Sequence, residues 1–221
     1  MAFNLLILFS ALFVLSHLGL SSDRIKKPLV TTIGDKPFMG LYSLVALATL
    51  GCAIWMYAGY GARGPALWVP LGWDSPIPYI LMLLSILFIV LGGVTPSPVG
   101  ADMGMGAKPV ARGILRVTAH PQNWGMVCFG LAHVLVTGTA GALALYGMFV
   151  LTGMIGMYHE TAKKKKDRDP AVQAFLKETG LIPFSAIVRG KNKFVVGEFG
   201  IMPILAALIV FGLSIVAHFV L

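Results

Sequence analysis

Charged side chains are scarce in this chain of 221 residues. Only 12% of the residues are Asp, Glu, Lys or Arg, whereas 57% are hydrophobic. A typical soluble domain carries about 25% charged residues. Together with a mean hydropathy of +0.84, this composition indicates a protein that crosses a membrane several times.

The sequence signatures of several other protein classes are also missing. The two cysteines, Cys52 and Cys128, lie in separate apolar segments, so they form neither a disulfide framework nor a Cys-x-x-Cys pair. The chain has no Gly-rich phosphate loop, no His-Glu-x-x-His pair and no nucleophile elbow. Its formal net charge is +8, but the basic residues are sorted by loop rather than clustered on one face. We therefore expect no nucleic-acid partner.

Six apolar stretches are long enough, or nearly so, to cross a bilayer. A hydrocarbon core about 30 Å thick needs about 20 helical residues, and a helix satisfies its own backbone hydrogen bonds in lipid. We therefore predict an all-α, polytopic membrane protein, in which a bundle of about six transmembrane helices forms a single domain over residues 1–221. The predicted spans are residues 2–22, 38–60, 77–95, 121–138, 139–158 and 199–221.

The distribution of basic residues predicts the orientation of these spans. Sixteen of the 17 Lys and Arg residues follow the first, third or fifth span, and Arg63 is left on the other side. By the positive-inside rule the three basic loops are cytoplasmic, in contact with lipid headgroups, and both termini are outside. The longest basic loop covers about residues 159–198. Within it, Asp169 and Pro170 predict the start of a short helix through Glu178.

One histidine is the most informative residue of the predicted spans. His133 lies well inside the apolar segment 124–138, and no Asp or Glu occurs inside any predicted span. An ionisable side chain at membrane depth is costly and is by default functional. Because neutral imidazole is a good iron ligand and histidines on separate helices can hold a haem in a bundle, we predict that His133 is a metal ligand.

Three further residues are candidates for cofactor binding. His17 lies in the apolar run 5–20, where it is either a second ligand or a residue that reaches toward the cytoplasmic interface. His120 fits an interfacial or supporting role. Its depth in the membrane, however, is closer to that of His17 than the depth of His133 is. The second axial ligand is therefore either His17 or His120. Arg116 is either a partner for haem propionates or a plain positive-inside residue.

Two segments resemble the signature of the NnrU family of membrane proteins. They are RVTAHPQNWG at residues 116–125 and GLAH at residues 130–133, and the same pattern recurs at His17 and at residues 40–44 and 67–70. The family includes proteins of denitrification gene clusters and the 15-cis-zeta-carotene isomerase of carotenoid synthesis. Residues 175–187 also resemble the late cytoplasmic loop of that isomerase.

The resemblance implies a haem b held between two membrane histidines, which map to His17 and His133. In the isomerase pattern a cysteine lies three residues before the second histidine and exchanges as an iron ligand. This chain has Gly130 at that position, and the thiol of Cys128 lies five residues before His133. The resemblance therefore implies bis-histidine ligation without a cysteine at the exchanging position.

The resemblance further implies a bacterial inner-membrane protein with a redox or haem-dependent cis–trans isomerase role on a hydrophobic polyene. Two alternatives stay open. The first is a non-catalytic accessory protein for nitrite or nitric oxide respiration, whose partner is a respiratory reductase. The second is a membrane methyltransferase that uses S-adenosylmethionine, because Ala119-His120-Pro121 partly matches an Arg-His-Pro-x-Tyr signature; the paired acidic residues of such enzymes are missing, since Glu198 stands alone.

Overall fold

The computed structural model describes residues 2–60, 64–72, 74–99 and 109–220. Arg63, the basic residue predicted to lie on the outer side, is outside these residues. The described residues form α-helices joined by short connections, as the sequence predicts. The helices are α1 Ala2–Ser21, α2 Asp23–Ile33, α3 Asp35–Tyr60, α4 Pro76–Val94, α5 Ile114–Val117, α6 Pro121–Thr137, α7 Ala140–Lys164, α8 Pro170–Glu178, α9 Ser185–Val188 and α10 Ile201–Val220.

Five of these helices are long and apolar enough to cross a membrane: α1, α3, α4, α7 and α10. They coincide with five of the six predicted spans to within a few residues, except that α7 runs six residues beyond the predicted end at 158. The sixth predicted span is α6, which is a helix of 17 residues. At 1.5 Å per residue it is about 26 Å long, slightly shorter than the hydrocarbon core.

Local sequence features determine where α2 and α8 begin. The chain breaks its helix at Ser22, whose backbone is extended (φ −68°, ψ 141°), and Asp23 then begins the separate helix α2. Asp23 lies in the first turn of α2, where a negative charge complements the helix dipole. At the other end, the predicted short helix is confirmed, because the Asp169 carboxylate accepts a hydrogen bond of 2.8 Å from the Ala171 amide and Pro170 opens α8.

The described chain divides into two compact units. The first unit contains residues 1–78 and 129–152, and therefore α1 to α3 with the second half of α6 and the first half of α7. Its core is a cluster of buried residues on α1, α3 and α7, surrounded by partly buried aromatic and aliphatic side chains. The cluster consists of Leu6, Phe13, Ala53, Leu145 and Met148.

The second unit contains residues 79–128 and 153–221. One buried cluster, which includes Phe88 and Cys128, lies among α4, α5 and α6. A second cluster buries Phe175 of α8, which is 1% exposed. The loop after α8 is tied to α6 because the Trp124 indole donates a hydrogen bond of 2.8 Å to the Leu181 carbonyl.

Glycines of α6 and α7 allow the helix backbones to approach closely. In the first unit, a Cβ on Gly130 would lie 2.6 Å from the Tyr146 carbonyl oxygen. In the second unit, a Cβ on Gly153 would lie 2.7 Å from the Asn123 carbonyl oxygen. Small residues at contacts of this kind are typical of membrane helices. Gly130 is therefore a packing residue at the contact between α6 and α7.

We expect Gly130→Ala to destabilise the protein by about 1–3 kcal/mol, because the added methyl group overpacks the contact with α7. Gly51→Ala is the matched control: nothing lies within 4 Å of its Cβ position, and alanine is the better helix former. Thermal unfolding in detergent measures both variants. A Gly130→Ala protein as stable as the wild type would contradict the close contact.

Candidate cofactor site and apolar groove

His17 lies on α1 in an aromatic setting. Its Nδ1 donates a hydrogen bond of 3.1 Å to the carbonyl of Phe13, one helical turn earlier. The Phe13 ring lies 4.1 Å from the imidazole, centroid to centroid, and the Tyr42 ring lies 5.2 Å away in an edge-on arrangement. The imidazole is therefore held by its own helix at one nitrogen and by aromatic rings around it.

His133 repeats this arrangement on α6. Its Nδ1 donates a hydrogen bond of 2.9 Å to the Phe129 carbonyl. The Tyr146 ring stacks on the imidazole with centroids 4.6 Å apart and planes inclined by 24°, and the Phe129 ring lies 4.3 Å away. Both predicted ligands thus have the same backbone bond and similar aromatic neighbours.

Aromatic contacts connect the two histidines within the first unit. The Phe149 ring of α7 lies 5.8 Å from Phe13 and 5.3 Å from Phe129, centroid to centroid. Phe13 contacts His17, and Phe129 contacts His133. We call these five rings the aromatic chain. Three phenylalanine rings, one on each of α1, α6 and α7, therefore lie between His17 and His133.

The backbone bonds decide which imidazole nitrogen carries the lone pair. A carbonyl oxygen only accepts, so Nδ1 of each histidine carries the proton, and in the neutral ring the lone pair lies on Nε2. Histidine ligands of metals commonly have this tautomer, fixed by a bond from the other nitrogen. His218 on the exposed face of α10 makes the same backbone bond to Ser214, so the bond suits iron ligation but does not by itself identify a ligand.

Haem iron and a bare metal ion differ in the number of ligands that the protein must provide. Within the described ranges, no group of three or more His, Cys, Asp or Glu side chains could hold a metal ion. A porphyrin provides four nitrogens and requires only axial ligands from the protein. Two imidazoles match in number the two axial positions that a porphyrin leaves to the protein.

An apolar groove lies in the same unit. It has a volume of about 600 Å³ and is lined by residues between 7 and 15 of α1, 131 and 134 of α6, and 143 and 151 of α7. This volume is within the range of about 300–1,000 Å³ typical of ligand pockets. Met148, Val14 and Ala144 line the groove and also belong to the cluster around Phe13. The groove therefore adjoins the packing that holds the aromatic chain.

His120 occupies a different environment in the second unit. The residue is 1% exposed. Its Nε2 lies 2.6 Å from the Thr161 hydroxyl, and its Nδ1 lies 3.6 Å from a carboxylate oxygen of Glu160. The sequence analysis missed Glu160, because the fifth span was ended at residue 158. The helical pattern of the fifth span continues through the acidic and basic residues after residue 158, and this pattern could have indicated that Glu160 belongs to the same helix.

Arg116 is engaged by protein groups in the second unit. Its Nε and Nη2 donate hydrogen bonds of 2.7 and 2.8 Å to the two carboxylate oxygens of Glu198, and Nη1 donates one of 2.7 Å to Asn192. The Glu198 carboxylate also accepts a bond of 2.7 Å from the Gly113 amide. These bonds join the segment around α5 to the start of α10. A contact of Arg116 with haem propionates stays a prediction.

The profile of the NnrU protein family matches residues 5–221. The chain belongs to the NnrU family. It is 25% identical over 193 residues to the chloroplastic 15-cis-zeta-carotene isomerase of Zea mays, an alignment that covers 85% of this chain and 51% of the maize protein. It is 28% identical over 187 residues to the enzyme of the same name from Arabidopsis thaliana, covering 82% and 49%. The chain thus spans about half the length of these relatives. No solved structure matches it.

The cysteine positions of this NnrU protein can now be placed in the fold. Cys128 is 6% exposed and packs in the second unit against the cluster that contains Phe88. Gly130, at the position where the isomerase pattern has cysteine, packs against α7. The imidazole of His133 itself contacts the rings of Phe129 and Tyr146.

The Arg116–Glu198 pair predicts a pH dependence of stability. The hydrogen bonds from the Arg116 guanidinium, with a further bond from the Gly113 amide, lower the pKa of Glu198 from 4.5 to about 2, and the same pair raises the pKa of Arg116. Because the folded-state pKa of Glu198 is lowered, the contribution of the carboxylate is complete above about pH 4.5. It is lost as the pH falls toward 2.

We therefore expect Glu198→Gln to lower the melting temperature near neutral pH by about 2–4 °C, since partly exposed ion pairs contribute at most about 1 kcal/mol. The difference from the wild type should shrink as the pH falls from 4.5 toward 2. Asp74→Asn, at an exposed carboxylate on another segment, is the matched control. Thermal unfolding in detergent across this pH range measures both, and a constant Glu198→Gln difference would refute the assignment.

Proposed function

We propose that this NnrU protein binds haem b through His17 and His133 and catalyses cis–trans isomerisation of a hydrophobic polyene. The observation that carries the proposal is the aromatic chain, which joins two histidines of the same tautomer in one unit beside an apolar groove. The names of the maize and Arabidopsis relatives support the reaction class. The enzyme assignment is therefore a proposal from site chemistry and family membership together.

The ligand set fits haem. Each Nδ1–H is held by a backbone carbonyl, so Nε2 of His17 and of His133 is the nitrogen suited to iron. If bound, haem iron would supply a redox-active centre beside the polyene. The phenylalanine rings of the aromatic chain supply apolar contact surface for a porphyrin.

The groove would hold and orient the polyene. Its walls run over eight residue steps of α1 and of α7, or about 12 Å along each helix. This length takes part of a long polyene, and the remainder would lie in the lipid. Apolar walls exclude water from the bond that rotates, and close packing limits the conformations that the polyene can adopt.

We also propose that α6 is a sixth span and that both termini lie outside a bacterial inner membrane. A helix of about 26 Å crosses the hydrocarbon core with slight local thinning of the bilayer. Sixteen of the 17 basic residues then lie on the cytoplasmic side. This topology is the arrangement that the positive-inside rule supports.

An absorption spectrum tests the haem proposal. The purified wild-type protein should have a Soret band that shifts on reduction with dithionite. His17→Ala and His133→Ala should each weaken haem retention by at least about tenfold, because even the loss of a group that supports a ligand costs 10–100-fold. His218→Ala is the matched control, since His218 makes the same backbone bond on the exposed face of α10 and should leave the spectrum unchanged.

Two outcomes would contradict the proposal. A His133→Ala protein that keeps the full Soret band would show that the imidazole does not hold the iron. Loss of haem in His120→Ala, with the His17→Ala protein unchanged, would transfer the second ligand to His120. An assay of polyene isomerisation with haem-loaded wild type and the same variants then tests the reaction itself.

Reporter fusions test the topology. Alkaline phosphatase fused after residue 221 should be active, and green fluorescent protein at the same position should be dark, because the C-terminus is expected outside. Insertion of the same reporters between Asp167 and Arg168, in the basic loop, should give the reverse result. A fluorescent C-terminal fusion would show that α6 does not cross the membrane or that the orientation is inverted.

A further inference from the structure

The loop between α8 and α10 carries an exposed apolar patch. Its large hydrophobic side chains are between 37% and 84% exposed, and the rings of Phe184 and Phe194 contact each other with centroids 6.0 Å apart. Contiguous exposed apolar surface of this kind marks an interaction site. We call the following six side chains the loop patch: Ile182, Phe184, Val188, Phe194, Val195 and Val196.

The backbone holds the loop patch in a defined conformation. Phe184 has φ 63° and ψ −6°, a left-handed conformation that a bulky side chain rarely adopts. Its amide donates a hydrogen bond of 2.8 Å to the Val117 carbonyl, and its carbonyl accepts one of 2.9 Å from the Val188 amide. The surrounding structure therefore keeps an exposed aromatic ring in place at a conformational cost, as is typical of functional positions.

Two contacts place the loop patch at the level where helices begin. The Leu181 carbonyl, next to the patch, accepts the hydrogen bond of the Trp124 indole, and Trp124 lies in the first turn of α6. The Phe194 ring lies 5.4 Å from the ring of Phe199, centroid to centroid, and Phe199 lies two residues before the start of α10. Because α10 is long and apolar enough to cross a membrane, the loop patch lies near the membrane interface.

The neighbours of the loop patch are those of a lipid-contacting surface. The first two residues of α10, Ile201 and Met202, are 71% and 73% exposed, so the patch continues into the apolar face of a candidate span. The charges within the loop are of one sign, because residues 179–197 contain no Asp or Glu and three exposed basic residues. Apolar side chains flanked by cations fit the boundary between acyl chains and phosphate groups.

We propose that the loop patch docks on the membrane itself. Its apolar side chains enter the acyl region just below the headgroups of the leaflet at which α10 begins, and Arg189, Lys191 and Lys193 bind lipid phosphates. Lipid is favoured over a protein partner because the patch is continuous with the exposed apolar face of α10. The proposal goes beyond the proposed function and requires neither haem nor a polyene.

Spin-label spectroscopy on the reconstituted full chain tests the docking. A nitroxide is attached to a single cysteine, introduced as Val188→Cys or Val196→Cys in a Cys52→Ala, Cys128→Ala background, so that the aromatic rings of the patch stay in place. The vesicles contain phosphatidylcholine with a minor fraction of phosphatidylglycerol. The collision rates of the label are measured with oxygen, which concentrates in hydrocarbon, and with a neutral nickel chelate, which stays in water.

Both labels should collide more with oxygen than with the nickel chelate, as expected for side chains about 5–10 Å inside the boundary between headgroups and acyl chains. Ala174→Cys in the same background is the matched control. Ala174 is exposed on α8, on the same face as the exposed Lys177 and Glu178 one helical turn later. Its label should have the opposite preference, because this face is expected in water.

Two results would overturn the proposal. A preference for the nickel chelate at either position, as in the Ala174→Cys control, would show that the loop patch lies in water. Little collision with either reagent would show that protein covers the patch, and its occupant would then be a second copy of the chain or another protein. A protein without a Soret band whose labels prefer oxygen would contradict the proposed function and support the docking, so the two proposals fail separately.

Discussion

The absence of water inside a bilayer is the constraint on which the rest of this structure depends. A polar group in the spans is costly unless it finds a partner within the protein, and several side chains do so one helical turn away. Thr49 donates to the carbonyl of Val45, and Thr137 donates to that of His133. The same requirement directs Nδ1 of His17 and His133 to backbone carbonyls. Because Nδ1–H of each histidine donates to the carbonyl of its own helix, the lone pair of the neutral ring lies on Nε2.

Helix packing in the described units follows from the same constraint. Because lipid tails are as apolar as leucine side chains, burial of apolar surface gives little force between spans, and close van der Waals contact must supply it. Gly130 and Gly153 allow that contact between α6 and α7, each within its own unit. Because of this close contact, α6, which bears His133, has no room for a larger side chain at Gly130. This is the position where the isomerase pattern has a cysteine.

Much of the fold was predictable because hydrophobic length and helix capping are local properties. Five of the six predicted spans and the helix begun by Asp169 and Pro170 depend on neighbours in sequence, and the structure agrees with these. Contacts between distant segments were not predictable. Nothing near Arg116 in sequence indicates its pair with Glu198, and Glu160 gained its place beside His120 only through the extension of α7.

The helices around the candidate site carry no acidic residues in their spanning parts. Residues 2–21, 36–60 and 129–152, which supply the spanning parts of the first unit, contain no Asp or Glu. A divalent cation bound there by two neutral imidazoles would keep its full charge in a medium of low dielectric constant, which is strongly unfavourable. Iron within a porphyrin is different, because the macrocycle carries two negative charges of its own and the ferrous complex is neutral at its centre. A site built from neutral histidines and aromatic rings therefore suits a cofactor that brings its own counter-charge.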